Sequence, residues 1–291
     1  MTRRALLGLW AGLALPLSAG RLCFDPPVEA LGAYAKACGE GPRVELPAPG
    51  VNLEIRVASA TRSPWIVHSG WRFLREPEAK FRYEPPAGKA ALAIAEAFVY
   101  GADAGFRLDP KDYATAARLL EFLASVPRRE LPPLADFAFV DDGSATAGEV
   151  VNLLLRRNLL FELASKPDPR YELNVVIGSP EFPRELASNP GAFATAVRGV
   201  LGDERRSIRI YGTEMAIVRA AGDGHRARLQ VINYSGAPLR GVRLRLRGVF
   251  GSIELRVFGH PEAQPTDVTT GGGFTEFTIP EMGVLAIADL E

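Results

Sequence analysis

Residues 136–165 read DFAFVDDGSATAGEVVNLLLRRNLLFELAS, and the change of period inside this stretch decides the fold class. FAFV (137–140) is a short continuous apolar run, the pattern of a strand buried on both faces. TAGEVVNLLLRRN (146–158) then repeats its apolar residues at helical spacing, and LLFELAS (159–165) returns to a strand. The same alternation continues through YELNVVIGS (171–179), PGAFATAVRGVLG (190–202) and RSIRIYG (206–212). Strands alternating with helices over short connections predict a small parallel, doubly wound sheet over 133–213.

The texture on either side differs. RRELPPL (128–134) is a Pro-rich linker, and the residues before it, 21–132, form a shorter α/β segment. There PVEALGAYAKACGE predicts a short helix, VNLEIRVAS a strand, and SPWIVHSGWRF a further extended segment. GKAALAIAEAFVYG predicts a helix stopped by Gly101. LDPKDYATAARLLEFLASVP predicts another, with Asp109 as N-cap and Pro110 in its first turn.

From Glu214 the pattern becomes all-β. In GVRLRLRGVF, Val242, Leu244 and Leu246 alternate with Arg243, Arg245 and Arg247, so one face is buried and the other solvated. Turn signals every ten or so residues fit an antiparallel β-sandwich over 214–291. The predicted class is therefore α/β plus β: a short α/β segment, a flavodoxin-like parallel-sheet domain and a C-terminal antiparallel β-sandwich.

Composition narrows the function classes. Lys+Arg and Asp+Glu both total 34 in 291 residues, and the basic residues are scattered, which argues against nucleic acid as a partner. MTRR, ALLGLWAGLALPLSA and LSAG have the form of an export signal over residues 1–20, with Arg3-Arg4 as in a twin-arginine signal. The apolar run is short for a bilayer span, so cleavage and a periplasmic or extracellular location are expected, with no transmembrane span afterwards. Cys23 and Cys38 are the only cysteines. In an oxidising compartment they can pair, and two free thiols are the alternative.

The order of these segments resembles the C-terminal part of three-domain glycoside hydrolases of the family 42 β-galactosidase type. The resemblance runs over about 64–291, through WIVHSGWRF, AIAEAFVYGADAGF, the FAFVDD…VVIGSPEF…IRIYGTE alternation and LQVINYSG…VRLRLRG…FTIPEMGVLAIADL. It implies the end of a catalytic barrel, a flavodoxin-like trimerisation domain and a small terminal sandwich, with a carbohydrate and a second copy of the chain as candidate partners. The chain departs from that plan before the linker. A complete (β/α)8 barrel takes ~250 residues, and 21–127 is far shorter.

Glu96 is the candidate catalytic carboxylate, because glycoside hydrolysis uses a pair of carboxyl groups. It falls inside an apolar helical pattern and not at a strand end, so a structural role is the expectation. Trp65, His68 and Trp71 are the candidate substrate-binding residues. On one extended strand the two tryptophans would share a face and offer a stacking platform, with His68 opposite. Core tryptophans and a hydrogen-bonded histidine are the plainer alternative. Asp141 and Asp142 stand at a predicted strand end, where Ser144 or Thr146 as a helix N-cap explains the motif without a ligand.

No metal site or cofactor is expected. His68, His225 and His260 are isolated, no glycine-rich phosphate fingerprint occurs, and no G-x-S-x-G or cysteine nucleophile is available to the flavodoxin-like segment. The expected function is that of an exported, glycoside-hydrolase-related protein that is a noncatalytic carbohydrate-associated or assembly protein. The alternatives are a reduced hydrolase whose site forms with a partner subunit, and an inactive remnant.

Overall fold

The computed structural model describes residues 21–52 and 65–291. The expected export signal and most of the VNLEIRVAS strand lie outside those residues. The described chain opens with β1 (Leu22–Phe24), β2 (Val44–Leu46), β3 (Gly50–Asn52), β4 (Trp65–Val67) and α1 (Gly70–Arg75). β5 (Lys80–Tyr83), α2 (Ala90–Tyr100), β6 (Asp103–Phe106) and α3 (Tyr113–Ser125) follow. Four of these strands make a parallel sheet in the order β1-β6-β5-β2, while β3 and β4 form a separate antiparallel pair. Cys23 and Cys38 are joined by a disulfide that ties β1 to the chain entering β2.

The predicted helix in PVEALGAYAKACGE is only a 3-10 turn over Glu29–Tyr34. Gly32, at φ 56 and ψ −132, interrupts it, and an α-helix cannot continue through that backbone. SPWIVHSGWRF is likewise not one strand: β4 ends at Val67 and α1 starts at Gly70. By contrast Gly101 closes α2 at φ 66, in the left-handed region that favours glycine. The Asp109 side chain accepts a hydrogen bond from the Lys111 N–H, as its N-cap reading requires.

The middle of the chain comprises β7 (Phe137–Val140), α4 (Ala145–Arg156), β8 (Phe161–Ala164), β9 (Asn174–Val176), α5 (Arg184–Ala187) and α6 (Pro190–Leu201). β7 is central, with β8 and β9 parallel to it on either side. Ser144 caps α4 by accepting from the Ala147 N–H.

The last part contains β10 (Ile208–Tyr211), β11 (Ala216–Gly222), β12 (Ala227–Asn233), β13 (Leu239–Arg247), β14 (Ile253–Val257), β15 (Thr266–Gly271), β16 (Phe274–Met282) and β17 (Leu285–Leu290). Two four-stranded sheets, β10-β13-β16-β15 and β11-β12-β17-β14, have only antiparallel pairings. β10 was expected to extend the parallel sheet and instead pairs antiparallel with β13. Its sequence, Ile-Arg-Ile-Tyr, explains the difference: alternation marks a half-buried antiparallel strand, whereas β7 and β9 are more continuously apolar.

The sheet containing β12 is buried on both faces. Ala227, Leu229 and Val231 of β12, with Ala286, Ala288 and Leu290 of β17, face the other sheet. Ile232 of β12, and Leu285 and Ile287 of β17, join the core of the N-terminal layer. One face thus builds the sandwich and the other packs on the α/β part, chiefly on α2. That second face also carries the buried polar residues Arg228, Gln230 and Asp289.

Candidate functional site

α2 explains why a glutamate can sit deep in this protein. Five of its eleven residues are alanine, so the parallel sheet, α3 and β12 all approach the helix closely. A helix apolar on every face is one buried on every face. Only Phe98 is more than slightly accessible, and Glu96 is 0% exposed.

Three donors from three separate parts of the chain meet the Glu96 carboxylate. The Ser69 N–H, at the start of α1, donates to Oε1 at 2.9 Å. The Tyr83 hydroxyl, at the end of β5, donates to Oε2 at 2.5 Å. The Tyr234 hydroxyl, just beyond β12, donates to Oε1 at 2.8 Å. Burial pushes the Glu96 carboxyl up to about 7, against the opposing pull of these three hydrogen bonds. Burial, together with the nearby Glu96 charge, pushes both phenols well above their ordinary range.

His68 lies beside this cluster. Its ring meets the Tyr234 ring edge-on, with centroids 6.1 Å apart. Burial lowers its pKa to about 4, so the ring is neutral near pH 7. Its Nε2 is 3.2 Å from the Asn152 carbonyl, which fixes the N–H on that nitrogen, and Nδ1 is buried without a partner among the described residues.

Trp65, His68 and Trp71 do not form the expected strand face. They run along α4 in the opposite direction. The Arg156 guanidinium lies 3.8 Å from the Trp65 ring centroid, His68 bonds to Asn152, and the Trp71 ring sits against Gly148. Steps of three residues in the first segment match steps of four on the helix. Trp65 and Trp71 thus seat about 12 Å apart, at 1.5 Å per helical residue. Trp65 is 40% exposed, but its ring carries the Arg156 guanidinium; Trp71 is half-buried with Arg72 at 4.3 Å. The motif is a seam between the first and middle parts of the chain.

Asp141 forms a bidentate pair with Arg75, at 2.7 and 3.1 Å, and accepts from the Gly143 N–H. Asp142 accepts from the Ser144 N–H. Asp141 ties α1 to the middle part of the chain, and Asp142 serves the local turn. Among the described residues no group of His, Cys, Asp and Glu is arranged to hold a metal ion.

Chemically, a carboxyl held near pH 7 has the proton affinity of a general acid. Glu96 has neither the access nor the partner such a role requires. Both its oxygens are bonded, it is closed to solvent, and the groups bonded to it are two phenols and a backbone N–H. Sequence reasoning singled out Glu96 and His68 separately and missed Ser69, Tyr83 and Tyr234, which bring the two together. NYS at 233–235 was the one visible signal, since a tyrosine directly after a strand of alternating apolar residues faces the layer beneath.

No family model matches the chain, and no curated protein matches it in sequence. Among solved structures, an alpha-L-fucosidase isoenzyme 2 from Paenibacillus thiaminolyticus is similar with a TM-score of 0.51 and 10% identity. The match covers 76% of this chain and 62% of the fucosidase. An alpha-amylase from H. orenii aligns over 76% of this chain and 56% of its own, at 15% identity and a TM-score of 0.19. The fucosidase relates the fold to a glycoside hydrolase. At that identity the likeness is one of fold.

Proposed function

We propose that the protein is an exported, noncatalytic, carbohydrate-associated protein built on a glycoside-hydrolase-related scaffold. The observation that carries the reading is the closure of Glu96: the one acidic side chain in the apolar core of α2 is engaged in holding three segments together. The family 42 layout belongs to the same proposal. The β5-α2-β6-α3 run is the repeating unit of a barrel, and β8-β7-β9 has the order with which a flavodoxin-like sheet begins. Association with a second copy of the chain, suggested by the trimerisation domain of that family, is part of it too.

A rival reading is a reduced glycosidase that uses Glu96 with a carboxylate from a partner subunit, and the raised Glu96 pKa favours it. The two separate on a panel of aryl glycosides assayed with wild type and Glu96→Gln, alongside affinity electrophoresis in polysaccharide gels. The noncatalytic reading expects no turnover of any glycoside and retarded migration in at least one gel. Turnover by wild type that disappears in a folded Glu96→Gln variant overturns it in favour of the hydrolase.

A further inference from the structure

A cleft of about 670 Å³ opens on the side of α2 away from Glu96, between the ends of α2 and α3, residues 126–131 and the face of β12 that carries Arg228 and Gln230. Phe98, in its wall, is two residues beyond Glu96 and so about 200° around the helix. The cleft and the Glu96 cluster therefore occupy opposite sides of one element.

Three features of the lining point to one ligand chemistry. First, Arg21, Lys36 and Arg128 reach it from three different segments, and none has an acidic partner among the described residues. Glu130 is the one carboxylate in the lining among the described residues. The other two arginines there are already paired, Arg228 with Asp289 and Arg129 with Asp289 and Glu291. Second, Gln230 is 5% exposed, and its buried Oε1 has no hydrogen-bond donor among the described residues. An acceptor left unpaired in that setting costs ~1–3 kcal/mol, which a ligand hydroxyl would recover. Third, Tyr34 and Phe98 add half-buried aromatic surface.

We propose that this cleft binds an acidic sugar, a pyranose unit bearing a carboxylate or a sulfate. The unpaired cations attract the anionic substituent, and arginine forks match its oxygen geometry. The Gln230 amide oxygen accepts from a ring hydroxyl, and the aromatic residues cover the apolar side of the sugar. This inference rests on the carbohydrate reading above and specifies its ligand class.

Isothermal titration calorimetry of the purified full chain tests it with trigalacturonate, a sulfated disaccharide, maltotriose as a neutral sugar and citrate as a plain anion. The expected result is binding of one acidic sugar at least about tenfold tighter than maltotriose or citrate, weakening with added salt. Comparing trigalacturonate with the sulfated sugar shows which substituent is read. Arg128→Glu, at an exposed position, is expected to lower that affinity by about tenfold or more. Gln230→Leu is expected to lower it by about tenfold with near-UV circular dichroism unchanged. Maltotriose binding as tightly, indifferent to Arg128→Glu, overturns the acidic-sugar inference and leaves the carbohydrate reading standing. Citrate binding as tightly as the sugars also overturns it. No binding of any sugar by folded protein, with no retardation in the polysaccharide gels, overturns both.

Discussion

The Tyr234 hydroxyl donates to Glu96 across 2.8 Å, linking the end of a sandwich strand to the middle of a helix 138 residues earlier. Tyr83 and Ser69 complete the arrangement, so the carboxylate acts as a shared acceptor for the parallel sheet, α1 and the sandwich. Removing it orphans two buried phenols and a backbone N–H together.

Glu96→Ala is accordingly expected to destabilise the fold by about 3 kcal/mol or more, because each orphaned buried donor costs ~1–3 kcal/mol. Glu96→Gln, which retains an acceptor and the side-chain volume, is expected to cost less than half of that. Urea denaturation of both variants measures the difference. Equal losses would mean that packing volume, not hydrogen bonding, is what Glu96 supplies.

The same carboxylate gives stability a pH signature. Its folded pKa of about 7 lies above the ordinary 4.5, so its contribution is fully present below about 4.5 and is lost as pH rises toward 7. The whole span corresponds to ~3 kcal/mol. His68 acts in the opposite direction. Its folded pKa of about 4 lies below 6.5, so its contribution is present above 6.5 and is lost as pH falls through that window. The two slopes oppose each other between about 4.5 and 6.5. Glu96→Gln is expected to unmask the histidine slope, with stability rising from pH 4.5 to 6.5 more steeply than in wild type. Melting temperatures across pH 4–8 test this, and parallel curves for the two proteins would exclude a titrating Glu96.

Two glycines set the approach of α1 to its neighbours. A Cβ on Gly70 would lie 2.3 Å from Cζ of Tyr100, whose ring is boxed in by Phe73 and by the Arg219 guanidinium. A Cβ on Gly148 would meet Arg75 Nη1 at 2.5 Å and the Trp71 ring at 3.1 Å. An arginine end can swing away where a buried ring cannot. Gly70→Ala is therefore expected to cost about 2–3 kcal/mol and Gly148→Ala about 1 kcal/mol, in the range of overpacked cores. Thermal unfolding ranks them, and the reverse order would show α4 to be the more rigid neighbour.

Asp289 is the counter-charge for three arginines: Arg228 at 2.7 and 2.8 Å, Arg256 at 3.0 Å and Arg129 at 3.3 Å. Breaking a buried pair from one side leaves its partner uncompensated, at ~3–5 kcal/mol. Asp289→Ala is expected to lose at least that much by denaturant titration. Arg256→Ala, which leaves the carboxylate two other partners, is expected to cost under about 1 kcal/mol. A mild Asp289→Ala phenotype would indicate that the arginines turn out to solvent.

The sequence made the alternating and apolar segments legible because period alone reports which faces are buried. Val242, Leu244 and Leu246 point inward as their spacing required, Gly101 stops α2, and Ser144 caps α4. The Cys23–Cys38 pairing, one of two open options, is the state in the structure. What period could not supply was partnership between distant segments. The alternation of β10 marks a half-buried strand, but its partner β13 lies further along the chain than a local pattern reaches. In WIVHSGWRF the one punctuation is Ser69-Gly70, where β4 gives way to α1, and reading through it as extended chain places the three ring residues on strand faces and not along α4. Glu96 stood out by composition; the position of Tyr234 just after an alternating strand shows which layer it faces, but nothing local names Glu96 as its acceptor or marks Tyr83 at all.

The two-faced burial of the β12 sheet also fixes an order of events during synthesis. β17 lies between β12 and β14, so this sheet cannot assemble until residues 285–290 have cleared the ribosomal exit tunnel. Until then α2 has been translated without its cover, and the Glu96 acceptor has emerged well before the tyrosine that completes its shell. A nascent chain stalled before β17 would present the apolar flank of α2 to chaperones, and emergence of β17 would withdraw it.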